Sequence, residues 1–421
     1  MLRQIEGSRA IAETVALCRP EVVCAYPISP QTHIIEAVGA MVKAGTLTPC
    51  EFINVESEFA AMSVAIGASA TGARAYTATA SQGLLFMMEA VFNAAGLGLP
   101  IVMTLANRAI GAPINIWNDH SDAMAARDSG WIQLFAETNQ EAADLHVQAF
   151  KLAEELSVPV MVCMDGFILT HAVEGVDVLD QASVDSFLPP YEPRQVLDTN
   201  DPVSIGAMVG PEAFEEVRYL AHLRQLDALD RIPAIAREFK DMTSRDSGGL
   251  VRPYRTDDAE IIVVALGSVL GTIKDAVDIR RELGERVGVV GVTSFRPFPG
   301  EAVRDALANA RQVIVLEKAF STGFGGVLST DVAMATRGMD LELRTVIAGL
   351  GGRPITRRSI EELLRSARHD ELVSLTFLEL DHGAVDRERA RMRATRRSGP
   401  SAENLLRDRP APPTTATKGD A

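Results

Sequence analysis

The sequence has only four cysteines, Cys18, Cys24, Cys50 and Cys163, and none of them forms a CxxC pair. Disulfide scaffolds are typical of small secreted domains, so none is expected in a chain of 421 residues. An iron–sulfur cluster needs four thiolates at motif spacing, and that spacing is missing. We therefore predict that all four cysteines are small buried hydrophobic residues and that this chain binds no cluster of its own.

Basic residues and long apolar runs are also scarce. The 41 Lys and Arg residues are outnumbered by 56 Asp and Glu residues, which argues against a nucleic-acid partner because phosphates are neutralised by clustered basic side chains. No apolar run is long enough to span a bilayer. The first residues include Glu6 and Glu13 and lack the apolar centre of a signal peptide. We therefore predict a cytoplasmic protein without a membrane span.

Strand-like and helical patterns alternate along the chain. Apolar runs such as Val22–Tyr26 and Ile101–Leu105 alternate with helical patterns such as residues 9–19 and 140–155. This order predicts an α/β fold with parallel sheets that are covered on both faces. The length predicts more than one domain.

Shifts in composition divide the chain into four predicted parts. They are a first α/β domain (1–235) with a Pro- and Asp-rich excursion at 187–210, a connector (236–256), a second α/β domain (257–385) and a tail (386–421). The tail holds nine basic and five acidic residues and few apolar ones, so we expect it to be flexible or to dock on an acidic partner.

The most informative segment is the loop NRAIGAPINIWNDHSD, from Asn107 to Asp122. A loop so rich in polar and aromatic side chains is more often a binding site than a plain connector. Two earlier segments accompany it, YPISPQTH (Tyr26–His33) and VESEFAAMSVAIGASATG (Val55–Gly72). Together and in this order, the three segments resemble the α subunit of the pyruvate (2-oxoacid):ferredoxin oxidoreductases, which use thiamine diphosphate. The resemblance extends over about residues 11–380.

The resemblance implies two parallel-sheet domains, a pyrimidine-binding domain of the thiamine enzymes followed by a domain of transketolase C-terminal type. It also implies an activity, the CoA-dependent oxidative decarboxylation of a 2-oxoacid to acyl-CoA and CO₂. The electrons would pass to iron–sulfur clusters on partner subunits and then to ferredoxin or NAD.

Glu58 follows a strand-like run and begins a helix of small residues. From the pattern alone, it is most simply a helix-start glutamate that the helix dipole stabilises. The resemblance implies instead that Glu58 is the catalytic glutamate, which hydrogen-bonds N1′ of the thiamine aminopyrimidine. Glu56, two residues earlier, is the other carboxylate that could fill this role.

Arg108 lies at the carboxyl end of a predicted parallel strand, where ligands of α/β proteins bind. Its planar guanidinium matches a carboxylate, although a surface salt bridge is the simpler explanation. The resemblance implies that Arg108 binds the substrate carboxylate together with the hydroxyl of Ser29, where the family usually has threonine. A serine before a proline is also common in turns.

The resemblance adds further contacts around the pocket. Asn115 would bind substrate or brace the pocket, and Pro30, Ser81 and Gln82 would lie at the cofactor, although Ser81 can equally be a helix cap. The cluster DHSD lacks the spacing of zinc motifs, so we predict no metal there. We interpret four of the other six histidines as ordinary polar or packing positions, namely His33, His146, His171 and His382.

The GDG motif that holds Mg²⁺ and the diphosphate in thiamine enzymes is absent from the sequence. The resemblance implies that a β subunit provides that half of the active site and that γ- and δ-type subunits carry the clusters. The chain alone would then be inactive.

Pyruvate is the first expected substrate, and an aromatic acid such as phenylglyoxylate is its rival. A transketolase-like thiamine enzyme without an iron–sulfur step is a second hypothesis, and a non-catalytic scaffold is a third.

Overall fold

The computed structural model describes residues 2–394 and 401–409. The strands, numbered in chain order, are β1 (Leu2–Glu6), β2 (Val22–Ala25), β3 (Glu51–Asn54), β4 (Ala75–Thr79), β5 (Val102–Asn107), β6 (Ile132–Phe135), β7 (Val160–Asp165), β8 (Val173–Asp177), β9 (Val251–Tyr254), β10 (Ile261–Ala265), β11 (Val287–Val292), β12 (Ser294–Arg296), β13 (Gln312–Glu317), β14 (Glu342–Ile347) and β15 (Leu375–Phe377).

The helices are α1 (Gly7–Leu17), α2 (Thr32–Lys43), α3 (Glu58–Ala70), α4 (Ser81–Phe86), α5 (Met88–Gly96), α6 (Ser121–Ala125), α7 (Asn139–Leu156), α8 (Gln181–Phe187), α9 (Phe214–Thr243), α10 (Val269–Glu282), α11 (Gly300–Ala306), α12 (Leu328–Ala335), α13 (Arg357–Arg368), α14 (His382–Ala394) and α15 (Ser401–Arg407). A short 3₁₀ helix lies at Leu350–Gly352.

The strands form two large sheets and one small one. The first sheet has seven strands in the order β12-β6-β7-β5-β4-β2-β3, and the second has six in the order β15-β14-β13-β10-β11-β9. The neighbours from β6 to β3 pair in parallel, as do β10 with β11 and β13 and β13 with β14. β1 and β8 form a separate antiparallel pair. This topology confirms the predicted α/β fold with parallel sheets.

Hydrophobic residues cover both faces of the first sheet. Every residue of β5 and β7 is buried, as expected for parallel strands between two layers of helices. One core lies under α1, α2, α7 and α9. The other core includes side chains from both sheets, with Met103 and Phe135 from the first and Val264 and Val292 from the second. The two sheets therefore share apolar packing.

β12 completes the first sheet from the second half of the chain. It pairs antiparallel with β6, with Ser294 opposite Leu134, and the Phe135 N–H donates to the Thr293 carbonyl at 2.8 Å. This strand was not predicted from the sequence, because a three-residue strand has too few positions to show a period.

Most helices lie close to their predicted positions, with one clear exception. The sequence pattern over residues 81–95 predicts one helix, but the structure has two helices with an interruption at Met87, where φ −93° and ψ 6° depart from helical values. Met87 is fully buried, and the interruption lets α4 bury Leu84 while α5 buries Val91 and Ala94. The long helix α9 continues past residue 235, and the division into domains remains a prediction.

The described part of the tail contains helices α14 and α15. Asn404 Nδ2 donates to Glu388 Oε1 at 3.1 Å, and Arg391 pairs with Asp408 at 2.8 Å. The other tail residues, 395–400 and 410–421, lie outside the described residues, so a flexible or docking tail remains a prediction.

Three of the four cysteines are buried as predicted, and Cys50 is half-buried. All four are free thiols, and burial raises the pKa of Cys24 and of Cys50 to about 11. They therefore have little thiolate character. None of the described helices combines the length and the apolar character needed to cross a membrane.

Candidate active site

Glu58 is the first residue of α3 and is only 8% exposed. Ser57 directly precedes this helix, which predicts that it is the N-cap, and the prediction is confirmed because the Ser57 hydroxyl accepts a hydrogen bond from the Ala60 N–H at 3.2 Å. The Glu58 carboxylate makes no hydrogen bond or ion pair with any other residue in the described ranges. A buried carboxylate without a partner is costly, so this position is suited to a ligand that would pair with it.

Gly83 provides the room that the Glu58 carboxylate occupies. A Cβ atom at Gly83 would lie 2.8 Å from Glu58 Oε1 and 2.5 Å from the hydroxyl oxygen of Thr79. The Thr79 hydroxyl is buried and has no hydrogen-bond partner among the described residues. Two polar groups without partners therefore face the side of α4 that lacks a side chain.

Asp122 connects the start of α4 to the end of β5. Its Oδ2 accepts the backbone N–H groups of Ser81 at 3.0 Å and Arg108 at 2.9 Å. Its Oδ1 accepts Asn107 Nδ2 at 2.9 Å and the Ala123 N–H at 2.8 Å. Complete burial raises the pKa of Asp122 to about 7, although these hydrogen bonds oppose the shift.

The Ser81 side chain makes hydrogen bonds within the chain. Ser81 has a left-handed φ of 48°, and its hydroxyl donates to the Ala109 carbonyl at 2.5 Å and contacts Gln82 Oε1. The other end of the Gln82 amide lies against Gly111, where a Cβ would be 2.5 Å from Nε2. These two residues therefore attach α4 to the loop after Arg108.

Arg108 and Ser29 lie together, as the resemblance implied. Arg108 Nη1 donates to the Ser29 carbonyl at 2.9 Å, and Nε donates to the Asn115 carbonyl at 3.0 Å. Nη2 donates to no acceptor in the described ranges. Burial lowers the pKa of this half-buried guanidinium, and the nearby Asp122 opposes the shift. The two carbonyls fix the plane of the guanidinium and leave N–H groups for another ligand.

Asn115 and Pro30 contact the chain in ways the sequence did not predict. The Asn115 side chain donates to the Gly351 carbonyl at 3.1 Å and accepts the Trp117 N–H at 2.7 Å. It reaches Arg108 only through its backbone carbonyl. Pro30 is buried against the turn after β7, where a Cβ on Gly166 would lie 2.5 Å from Pro30 Cγ.

Comparison with known families and proteins agrees with this geometry. The family model described as "Pyruvate flavodoxin/ferredoxin oxidoreductase, thiamine diP-bdg" matches residues 13–238, and "Pyruvate:ferredoxin oxidoreductase core domain II" matches residues 259–360. The chain belongs to the 2-oxoacid:ferredoxin oxidoreductase family. The predicted membership, as an α subunit of these CoA-acylating thiamine enzymes, is confirmed.

Named relatives cover nearly the whole chain. The pyruvate synthase subunit PorA of Methanosarcina barkeri is 49% identical over 385 residues, which are 89% of this chain and 96% of the relative. The ketoisovalerate oxidoreductase subunit VorA of Pyrococcus abyssi is 38% identical over 387 residues, which are 91% of this chain and 95% of the relative. The family is therefore known to include members named for different 2-oxoacids.

Two solved structures show the same fold. A 2-oxoglutarate:ferredoxin oxidoreductase from Magnetococcus marinus superimposes with a TM-score of 0.69 at 19% identity, over 87% of this chain and 65% of the other. A split gene transketolase, described as an inactive beta4 tetramer, superimposes with a TM-score of 0.52 at 14% identity, over 87% of this chain and 98% of the other. These likenesses confirm the predicted thiamine-enzyme fold.

The loop of this family member carries a buried ionic cluster that the sequence analysis missed. His120 Nε2 lies 2.7 Å from Asp165 Oδ1, and Lys318 Nζ lies 3.1 Å from Asp165 Oδ2. Burial would raise the pKa of Asp165, but Lys318 and His120 hold it well below its usual range. The Ser268 N–H also donates to Oδ2 at 3.0 Å. This cluster joins the first sheet to residues that follow β10 and β13.

Neither buried acid of this site was identified from the sequence. Asp122 was noted only as a carboxylate flanking His120, and Asp165 ends β7 without any local motif. The available signal was an acidic residue directly after or near an apolar strand, where α/β sites lie.

Large apolar side chains are exposed on the loops and helix ends of the site. They are Phe59, Phe86, Ile114, Ile116 and Trp117, which we call the apolar rim. Ile114 is 84% exposed and Trp117 is 53% exposed. Three of them, Ile114, Ile116 and Trp117, lie within four consecutive positions of one loop, and exposed apolar side chains so close together are typical of surfaces that another protein covers.

Proposed function

We propose that this chain is the α subunit of a pyruvate:ferredoxin oxidoreductase. The complex would convert pyruvate and CoA to acetyl-CoA and CO₂, with two electrons and a proton released to the electron-transfer side. Six relatives that are 42–49% identical are named for pyruvate synthase, whereas those named for ketoisovalerate are 38–39% identical. This difference in identity supports pyruvate as the substrate, ahead of a branched or aromatic 2-oxoacid.

The observation that carries the proposal is the buried carboxylate of Glu58 opposite Gly83, which has no partner in the part of the chain that the structure describes. Its surroundings fit the aminopyrimidine of thiamine diphosphate, since a ring nitrogen can supply the hydrogen bond that Glu58 lacks. The bound cofactor stabilises negative charge on the carbon that bears the departing carboxylate. Glu58 would hold the proton shared with N1′ and orient the ring, while Thr79 offers a second polar contact beneath it.

Arg108 would bind the substrate carboxylate. Its guanidinium is already oriented by the carbonyls of Ser29 and Asn115, and Nη2 remains for a charge-assisted hydrogen bond. The exposed Ser29 hydroxyl, on the same segment, would add a second donor. Asn115 would act as a brace for Arg108, because its amide is occupied by Gly351 and Trp117.

Pro30, Ser81 and Gln82 would shape the wall next to the cofactor. Ser81 and Gln82 connect α4 to the loop after Arg108, so they set the distance between Glu58 and the arginine. Pro30 packs on the turn after β7 and holds the segment that carries Ser29. Their contribution would therefore be positional.

A β-type subunit would supply the diphosphate and Mg²⁺ half of the site, and γ- and δ-type subunits would carry the iron–sulfur clusters. The missing GDG motif and the four free, scattered cysteines support this division of labour. The apolar rim supports a partner that covers the site. The complex would work in the cytoplasm, with ferredoxin as acceptor and NAD as the alternative.

The decisive experiment is purification of the complex through a tag on this chain. The complex is assayed with pyruvate, 2-ketoisovalerate and phenylglyoxylate in the presence of CoA, thiamine diphosphate, Mg²⁺ and a viologen dye. We expect iron-containing partners and the highest kcat/KM with pyruvate. A higher value with another acid would overturn the substrate assignment. A complex without iron would overturn the iron–sulfur step and favour a transketolase-like enzyme.

A further inference from the structure

Three side chains with metal-binding atoms meet at one place outside the site described above. They are Glu6 at the end of β1, His33 at the start of α2 and His171 in the turn between β7 and β8. One ligand atom from each lies within 4.8 Å of the others. His33 Nδ1 is 2.7 Å from Glu6 Oε1, and the His33 and His171 ring centroids are 4.7 Å apart.

The backbone around this cluster is fixed by long-range hydrogen bonds. The Gly7 N–H donates to the Ala172 carbonyl at 3.0 Å, and the Ser8 N–H donates to the Thr170 carbonyl at 2.9 Å. These bonds hold the residues next to Glu6 against the residues next to His171. The three ligands therefore come together on a stable frame, and only side-chain rotations are needed to adjust them.

The donor set is that of a transition-metal site. Two imidazoles and one carboxylate bind zinc or iron in open sites, in which water completes the coordination. Neighbouring ligand atoms around such an ion are about 3 Å apart, because each bond is about 2 Å long. The side chain of His33 is 50% exposed and that of Glu6 is 32% exposed, so solvent can reach the remaining positions.

His171 is oriented by a second contact. Its Nδ1 lies 2.7 Å from the hydroxyl oxygen of Thr170, which leaves Nε2 as the ligand atom. Metal-binding histidines commonly have their other ring nitrogen fixed in this way.

We propose that Glu6, His33 and His171 form a binding site for a divalent transition-metal ion, with Zn²⁺ as the preferred test ion. The site lies next to the segment that carries Ser29 and Pro30, because His33 follows Pro30 by three residues. The His171 and Phe167 rings are tilted against each other with their centroids 4.8 Å apart, and the centroids of Phe167 and Trp117 of the apolar rim are 4.9 Å apart.

The test titrates the full, tag-free chain with Zn²⁺ in competition with a chromogenic chelator. We expect one high-affinity ion per chain, and we expect His33→Gln and His171→Gln each to weaken binding at least tenfold. His369→Gln is the matched control, since His369 is exposed at the end of α13 and belongs to no such cluster among the described residues. Circular dichroism confirms that all variants are folded.

Two results would overturn the proposal. One is wild-type affinity for Zn²⁺ in both His33→Gln and His171→Gln. That result would show that Glu6 and His33 form only a surface ion pair next to His171. The other is a zinc X-ray absorption spectrum with a sulfur ligand, since this site contains only nitrogen and oxygen donors. A spectrum with two imidazoles and no sulfur would support the site.

Discussion

Lys318 Nζ lies 3.1 Å from Oδ2 of Asp165, and both side chains are almost fully buried. Asp165 ends β7 of the first sheet, whereas Lys318 directly follows β13 of the second. A buried charge pair therefore joins the two sheets below the loop that follows Arg108.

Removal of Lys318 is expected to destabilise the chain strongly. In Lys318→Met, Asp165 loses its main cation in a buried position, so the free energy of unfolding should fall by about 3–5 kcal/mol. Urea unfolding measures the change. Lys240→Met is the control, because Lys240 forms an exposed pair with Asp246 at 3.4 Å and should cost less than about 1 kcal/mol. The double variant Lys318→Met/Asp165→Asn should recover part of the lost free energy of unfolding. Equal losses in Lys318→Met and Lys240→Met would contradict a stabilising role of the buried pair.

Glu58→Gln is expected to abolish most of the activity of the assembled complex. Glutamine keeps the shape of the side chain but cannot share a proton with N1′, so kcat should fall by about 10²–10⁴-fold. Steady-state assays with pyruvate measure the loss. Glu56→Gln is the matched control, because Glu56 is exposed two residues away and should retain near-normal kcat. A reversal of these two results would move the catalytic role to Glu56.

Arg108→Lys is expected to weaken substrate binding. The lysine ammonium cannot donate to the Ser29 and Asn115 carbonyls and also bind a carboxylate, as the planar guanidinium can. The loss of a hydrogen bond to a charged group costs about 1.5–3 kcal/mol. The KM for pyruvate should rise by roughly 10- to 100-fold, as this is the same free energy expressed as a ratio. Arg218→Lys on α9 should leave KM unchanged. An unaltered KM in Arg108→Lys would show that another residue binds the carboxylate.

Gly83→Ala tests the space around Glu58. The new methyl group would lie 2.8 Å from Glu58 Oε1, so the carboxylate must move and kcat should fall at least tenfold. Gly67→Ala in α3 meets no atom within 4 Å, and alanine there should stabilise the helix by up to about 1 kcal/mol. Activity assays and thermal unfolding of both variants give the comparison. Normal activity in Gly83→Ala would mean that Glu58 does not occupy this space in the working enzyme.

His146 is expected to make the fold sensitive to acid. Burial lowers its pKa from 6.5 to about 4, while its ring bridges the Thr104 hydroxyl at 2.5 Å and the Ala142 carbonyl at 2.6 Å. Between these two pH values the unfolded chain binds a proton that the folded chain does not bind. Stability present above pH 6.5 is therefore lost as the pH falls toward 4, by roughly 3 kcal/mol.

The measurement is the free energy of unfolding from pH 7.5 to 4. His146→Gln should remove most of the slope that the histidine causes, even if it lowers stability at all pH values. His222→Gln, at an exposed position on α9, should keep the full slope. Identical slopes in the wild type and His146→Gln would contradict the assignment.

Local patterns were sufficient to predict the fold class and the cap at Ser57. Both depend on residues within a few positions of each other, such as the apolar period of β5 and the Ser57–Ala60 hydrogen bond. The meeting of Ser29 with Arg108 was predicted only through the resemblance, because 79 residues separate them.

Contacts that depend on the packing of distant segments were not predicted. Asp165 and Lys318 are 153 positions apart in the printed sequence, and neither lies in a motif. From the sequence, the Asn115 side chain is expected to be available to a ligand, but in the structure its amide donates a hydrogen bond to the Gly351 carbonyl. Such neighbours decide which polar groups of a loop remain available to a ligand. They cannot be identified from a pattern along the sequence.

Strand β12 has a consequence for protein engineering. It comes from the second half of the chain but forms the edge of the first sheet, beside β6. Exchange of either half between this chain and a relative would replace one partner of that strand pair and keep the other. A working chimera would therefore have to carry residues 294–296 with the amino-terminal half as a separately grafted piece, so the two halves of this subunit are not interchangeable cassettes.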